Sequence, residues 1–192
     1  MTILIGADEV GRGSYAGPVT VAAFATPLKL PSWWDYVRDS KKLREEKRES
    51  LFHQFQEYGC LYEVASLSSK DVDSRGLSDC LRYLFYFTIK NLISNNKLEN
   101  YEIIIDGDNS YSLGKPVIRG DSLIKEISCA SIVAKVVRDR YMIGAHQRFP
   151  VYNFAKNKGY GTLEHEKALK EHGICDEHRR SVKPIANYLN KI

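Results

Sequence analysis

Four acids stand at or just beyond the ends of apolar runs. Ile3-Leu-Ile-Gly-Ala-Asp8-Glu9 ends in two adjacent carboxylates, Tyr101-Glu-Ile-Ile-Ile-Asp106 ends in one, and Asp121 follows the run Lys115-Pro-Val-Ile-Arg119. In open α/β sheets, sites assemble where strands end at their C-termini. Carboxylates gathered there need positive charge among them. A pair of divalent cations supplies it, and hard oxygen donors select Mg²⁺ or Mn²⁺ over Zn²⁺. Two such ions about 4 Å apart can serve an attacking water and a leaving oxygen in phosphodiester hydrolysis. Each acid also has an ordinary alternative: Asp121 as a helix N-cap, and Asp106-Gly-Asp108-Asn109 as a turn. Adjacent strand residues face opposite sides, so Asp8 and Glu9 share one site only if the chain bends there. Gly11 and Gly13 are expected to allow that bend.

The same glycines raise a rival reading, a loop that cradles a nucleotide. Gly11, Gly13 and Gly17 are spaced G-x-G-x3-G rather than G-x-G-x-x-G, and no Gly-Lys-Ser or Gly-Lys-Thr follows. Two acids ahead of the loop would also repel a pyrophosphate.

Other clusters point elsewhere. His165, His172, Cys175 and His178 resemble a zinc pattern, but the first two are seven apart on one helix, about 10 Å of rise. One ion cannot easily reach both. Asp71, Asp73 and Asp79 precede an apolar helix and read as turn and cap chemistry. Asp139 is about five helical turns from Asp121, and a local ion pair with Arg138 or Arg140 is its expected role.

The elements that must position these groups are legible from periodicity. Strands are expected over 3–8, 19–26, 60–67, 101–106 and 115–119. Helices are expected over 44–58, 78–95, 122–149 and about 164–172, the last ended by Gly173, with a short helix after Pro184. This order gives an α/β fold, a five-stranded mixed sheet flanked by helices with a small C-terminal helical portion. At 192 residues and 43% hydrophobic content, one domain spanning 1–192 is expected, its last part from about 150 being helical.

Residues 1–120 carry 15 basic and 16 acidic side chains, whereas 121–192 carry 13 and 8. A basic C-terminal third suits a polyanionic partner. Four widely spaced cysteines without C-x-x-C pairs, and an N-terminus that enters a strand directly, read as reduced thiols in a cytoplasmic protein with no membrane span. A monomer is the default expectation.

Six stretches now combine. "GADEVGRGSYAGPV", "DSKKL" (39–43), "IIIDGD" (103–108), "RGD…ISCASIVAKVVRDRYM" (119–142), "NKGYGT" (157–162) and "EHGICDEHRRS" (171–181) occur in that order. The chain resembles ribonuclease HII over nearly its whole length. The resemblance implies an RNase H-like sheet and an endonuclease that cuts 5′ of ribonucleotides. Its substrates would be RNA–DNA hybrids and duplex DNA with an embedded ribonucleotide, and its ends 3′-hydroxyl and 5′-phosphate. It places the metal ligands, for Mg²⁺ or Mn²⁺, on Asp8, Glu9, Asp106 and Asp121. It places 2′-hydroxyl recognition on the backbone of Gly11, Arg12 and Gly13, where lack of a Cβ permits close approach to a sugar. It places a junction-sensing ring on Tyr160, otherwise a core tyrosine, and substrate contact on Ser40, Lys41 and Lys42, otherwise solvated surface. It also implies that His165, His178 and Arg179 position other groups, and that about 150–192 binds substrate.

Departures from the family pattern are Val10 for alanine, Ser14-Tyr15 for Pro-Leu, Cys129 for alanine, Arg119 for lysine and Asp108 for asparagine. None removes a ligand, and Asp108 is expected to face solvent. Ribonuclease HIII is the nearest rival, but its usual Gly-Lys-Gly loop, glutamate as fourth ligand and extra N-terminal domain are not seen. A non-catalytic hybrid-binding module would lack at least one of the four acids.

Overall fold

The computed structural model describes residues 2–37 and 43–190. Ser40, Lys41 and Lys42 lie outside them. The chain order is β1 (Ile3–Val10), β2 (Val19–Ala25), α1 (Glu45–Glu57), β3 (Tyr62–Leu67), α2 (Ser69–Arg75), α3 (Leu77–Asn95), β4 (Tyr101–Asp106), β5 (Lys115–Val117), α4 (Gly120–Leu123), α5 (Lys125–Arg148), α6 (Phe154–Asn157), α7 (Leu163–His172) and α8 (Lys183–Leu189). The strands form one mixed sheet in the order β3-β2-β1-β4-β5. β1 runs antiparallel to β2 and parallel to β4, so the C-terminal ends of β1 and β4 lie side by side.

β2, Val-Thr-Val-Ala-Ala-Phe-Ala, is buried at every position, as expected of a strand covered on both faces. On one face, α3 presents Cys80, Leu81, Leu84, Phe85, Ile89 and Leu92 to Ile5, Ala7, Val19 and Val21. Their spacing makes one apolar stripe along the helix. On the other face, Cys129, Ile132, Val133 and Val136 of α5 join Leu51 and Phe55 of α1 against Ala22 and Phe24. A third cluster joins the end of α5 (Met142, Ala145) to Ala16, Tyr152, Phe154, Leu169 and Ile185. It ties the C-terminal helices to the loop after β1.

Three expectations change. The acid-rich run does hold the expected cap chemistry, in the capping box between Ser68 and Asp71, but that box opens a helix of its own, α2. The expected helix over 122–149 is broken: Ile124 is extended (φ −126°, ψ 124°), which separates the single turn α4 from α5. Asp121 therefore lies inside that separate turn rather than capping the long helix, because the residue before the turn is Arg119 in the left-handed region. Asp139 pairs with neither Arg138 nor Arg140. It meets Lys135 one turn back at 2.6 Å and Arg48 of α1 at 3.6 Å, while Arg140 turns to Glu49.

Candidate active site

The last pairing between β1 and β4 is Ala7 with Ile105. Asp8 and Asp106 come next on neighbouring parallel strands, so their carboxylates leave the sheet at the same edge. Asp8 is 4% exposed, and the Ser131 hydroxyl of α5 bonds to it. Burial pushes the Asp8 carboxyl well above the usual carboxylate range. The Ser131 bond opposes that shift, and the negative charges of Glu9 and Asp106 add to it. Glu9 is also raised, first by burial, with Arg12 (3.6 Å away) acting against it and Asp106 for it. Asp121, 3% exposed, reaches the group through its backbone, whose N–H donates to Asp106 Oδ1 at 3.3 Å.

The expected bend between Asp8 and Glu9 is absent. Regular pairing with β2 continues through Asp8–Ala22, Glu9–Val21 and Val10–Thr20. Cross-strand partners share a face, so Asp8 lies on the α5 side with Ala22 and Glu9 on the α3 side with Val21. Both still feel Asp106, because the group straddles the sheet at the strand ends instead of lying on one face. Among the described residues, no three His, Cys, Asp or Glu side chains converge into a ready-made ligand set. As hard oxygen donors at a partly buried edge, the four acids match the chemistry of Mg²⁺ or Mn²⁺.

The turn comes after Val10. Gly11 has φ +88°, and a Cβ there would lie 2.3 Å from Arg138 Nε and 2.7 Å from the Pro18 carbonyl. Its missing side chain serves the protein's own packing. Gly13 is the opposite case, with nothing within 4 Å of an added Cβ and no left-handed backbone. Of the two, only Gly13 keeps an open face toward solvent, beside the exposed Arg12.

Tyr160 is half-buried, not a core residue, and the Arg138 guanidinium lies 5.3 Å from its ring centroid. Its carbonyl meets His165 Nδ1 at 3.0 Å, and His165 Nε2 meets His178 Nε2 at 3.0 Å. The two imidazoles bind each other, and His172 is exposed, so the zinc arrangement does not form.

The family model for ribonuclease HII matches residues 5–185. The chain is 40% identical over 181 residues to the ribonuclease HII of Caldicellulosiruptor bescii, covering 93% of this chain and 85% of that one. It is 39% identical over 186 residues to that of Burkholderia mallei, covering 95% and 84%. The chain belongs to the ribonuclease HII family. It is thus a type 2 ribonuclease H. Solved structures agree on the fold. The ribonuclease H2 of Pyrococcus horikoshii superposes with a TM-score of 0.78 at 22% identity, covering 99% of this chain and 98% of that one. The Archaeoglobus fulgidus ribonuclease HII, solved in complex with PCNA, gives 0.76 at 23%, covering 94% and 95%.

Against the ribonuclease HII pattern, three of the departures have local explanations. Cys129 is fully buried in the core under α5, where a small thiol packs like a small apolar group. Asp108 is exposed, as expected. Ser14 accepts a hydrogen bond from Arg138 Nη2 at 2.8 Å, which a proline side chain cannot. Two residues of this region escaped the sequence reading: Ser131, which bonds Asp8, and Arg138, considered only as a partner for Asp139. The available signal for Arg138 was a charged residue four positions from both Ala134 and Met142, in line with buried apolar positions of the helix.

Proposed function

We propose that this chain hydrolyses the phosphodiester on the 5′ side of ribonucleotides, in RNA–DNA hybrids and in duplex DNA carrying an embedded ribonucleotide. The products are 3′-hydroxyl and 5′-phosphate ends. The observation that carries this reading is the placement of Asp8 and Asp106 at the adjoining ends of β1 and β4, with Glu9 next along β1 and the Asp121 backbone N–H bonded to Asp106.

In this reading the four acids hold two divalent ions, Mg²⁺ or Mn²⁺. Held there, such ions would supply Lewis acidity toward a water and charge neutralisation at the reacting phosphate. The protein's part is orientation. Ser131 holds Asp8 on the α5 side, and the Asp121 amide holds Asp106 by its Oδ1. Gly13, open on its outer face, lets the backbone approach a ribose 2′-hydroxyl, the group that separates RNA from DNA. Arg12, exposed beside Glu9, is placed to meet a phosphate once that carboxylate is engaged elsewhere. The Tyr160 ring, backed by Arg138, packs on the sugar of the following deoxynucleotide and excludes a 2′-hydroxyl there. The segment from about 150 to 192 supplies the rest of the substrate surface, and Ser40, Lys41 and Lys42 contact the phosphate backbone.

The test is a labelled duplex with one embedded ribonucleotide, incubated with Mg²⁺ or Mn²⁺. A nick 5′ to the ribonucleotide, lost in Asp106→Asn, is expected. Absence of the nick, or undiminished nicking by the variant, overturns the reading. Tyr160→Ala is expected to lose more activity on this substrate than on a long hybrid, and equal losses would remove its sensing role.

A further inference from the structure

Arg138 and Arg179 are the two largest side chains buried to 0% exposure. A buried charge is costly unless paired, yet every hydrogen bond seen from these two guanidiniums goes to a backbone carbonyl or to one hydroxyl. Arg138 donates from Nε to Pro18 O (2.8 Å), from Nη1 to Lys158 O (2.8 Å), and from Nη2 to Ser14 Oγ (2.8 Å) and Ala16 O (3.1 Å). Arg179 donates from Nε to Gly17 O (2.8 Å) and from Nη1 to Gly11 O (2.6 Å) and Arg12 O (3.3 Å). Its Nη2 has no hydrogen-bond partner among the described residues. The carboxylate nearest in sequence, Asp139, is taken up by Lys135 and Arg48. Burial, and then the neighbouring Arg138 charge, push Arg179 down to about 10.

The acceptors define what this arrangement does. Those of Arg138 span two stretches, the loop at 14–18 and the Lys158 carbonyl just before Tyr160, while those of Arg179 all lie within 11–17 and hold the loop that Arg138 ties to Tyr160. The backbone adds to it: Tyr15 and Ala16 N–H both donate to Gly159 O, and the Arg179 N–H donates to Tyr15 O. Arg138 also lies over the Tyr160 ring. A guanidinium is a rigid planar fork, so several carbonyls bound to one fork are fixed relative to each other, which a flexible ammonium cannot do.

We propose that Arg138 and Arg179 are positioning residues that set the distance between the Gly11–Gly13 loop and Tyr160, and thereby the enzyme's preference for a ribonucleotide followed by a deoxynucleotide. This rests on the function proposed above, in which the loop reads one sugar and the tyrosine the next. The two readings of one junction agree only if their spacing matches the step between adjacent nucleotides. A continuous hybrid offers a 2′-hydroxyl at every position and makes no such demand. Ser14, which replaces the family's proline, adds one more anchor to the same fork.

The test compares kcat and KM on a single-ribonucleotide duplex and on a continuous hybrid, for wild type, Arg179→Lys, Ser14→Ala and Leu92→Ala. Leu92, on α3, packs in the core between that helix and the sheet, in a different cluster from the one that holds Ala16 of the loop, so its variant reports loss of stability alone. All are assayed below the lowest melting temperature. Arg179→Lys keeps the charge and loses the fork. It is expected to lower kcat/KM on the single-ribonucleotide duplex by about 10- to 100-fold, the scale of an ångström-sized misplacement, and on the hybrid by much less. Ser14→Ala should move the ratio in the same direction by a smaller factor, and Leu92→Ala should leave it unchanged. An unchanged ratio in Arg179→Lys, or an equal change in Leu92→Ala, overturns the positioning role. If Arg179→Lys does not fold, Ser14→Ala decides by itself. A wild type that nicks neither substrate overturns the proposed function instead, and that result is seen before any variant is compared.

Discussion

His165 and His178 meet Nε2 to Nε2 at 3.0 Å, within a line of hydrogen bonds that leaves each ring one tautomer. The Cys175 N–H donates to His178 Nδ1 at 2.9 Å, so His178 carries its proton on Nε2 and donates it to His165. His165 then donates from Nδ1 to the Tyr160 carbonyl. Tyr152 and Phe154 pack around both rings. A proton added to His165 Nε2 would face the His178 N–H, and one added to His178 Nδ1 finds only the Cys175 carbonyl at 3.3 Å, too little to offset burial.

A pH dependence follows from that closure. Burial, and then the neighbouring His165, push His178 down to about 4, and burial also lowers His165. An unfolded histidine titrates near 6.5. Between about 4 and about 6.5 the unfolded chain therefore binds more protons than the folded one. The stability held by the pair is complete above about 6.5 and lost as pH falls toward 4, by roughly 3 kcal/mol for His178 alone. Melting temperatures of wild type should fall between pH 7.5 and 5, and those of His178→Gln should fall less. Parallel curves would remove the histidine pair as the cause.

The acids behave in the opposite sense. Asp8 and Glu9 are raised by burial, so the metal-free folded protein keeps protons that the unfolded chain has released. Their contribution to stability is present below the ordinary carboxylate pKa of about 4 and lost as pH rises through the raised values. Cations must displace those protons, and ligand bound only by the folded state adds stability. Mg²⁺ should therefore raise the melting temperature more at pH 8 than at pH 5.5. Asp8→Asn should raise the metal-free melting temperature at pH 8 and blunt the response to Mg²⁺. An Mg²⁺ effect equal at both pH values would contradict this account.

Gly11 and Gly13 separate fold from recognition. Gly13→Ala meets nothing within 4 Å and needs no left-handed backbone, so its stability should stay within about 0.5 kcal/mol of wild type. Its affinity for ribonucleotide-containing duplex should drop, because the new methyl occupies the open face. Gly11→Ala should cost about 1–3 kcal/mol from backbone conformation, with the clash against Arg138 in addition. Thermal melts and duplex titrations of the two variants check this, and a Gly13→Ala protein with unimpaired binding would remove that residue from recognition.

Much of this was legible in local pattern. β4 and the stripes of α3 and α5 show as apolar runs, and the acids show as interruptions at strand ends. What stayed hidden was non-local or too short to have a period. α2 is seven mostly polar residues held by a capping box, with Val72 its one buried apolar side chain. The break at Ile124 is a change of backbone angle inside an apolar stretch, which side-chain spacing does not register. Arg138 bonds to carbonyls some 120 residues earlier in the chain, and carbonyls leave no mark in a sequence. The expected bend at Asp8–Glu9 came from requiring both acids on one face. The end of β4 makes that unnecessary, since side chains of both faces reach past a strand edge.

Asp139 allows fold and chemistry to be told apart among the buried acids. It is 3% exposed and stands between Lys135 at 2.6 Å and Arg48 at 3.6 Å, joining α5 to the start of α1. Removing its charge takes the carboxylate from between two cations that both have little solvent access. Breaking a buried pair by deleting one partner costs about 3–5 kcal/mol, and Lys135 retains some solvent contact, so the lower end of that range applies. Asp139→Asn should therefore lower the denaturant midpoint clearly. It should leave kcat on the single-ribonucleotide duplex unchanged per folded molecule, because the pair it breaks ties α5 to α1 rather than to the strand ends. Asp106→Asn should do the reverse, removing activity while leaving the midpoint close to wild type. Measured side by side, a loss of kcat in Asp139→Asn at temperatures where it is fully folded would place Asp139 within the catalytic group.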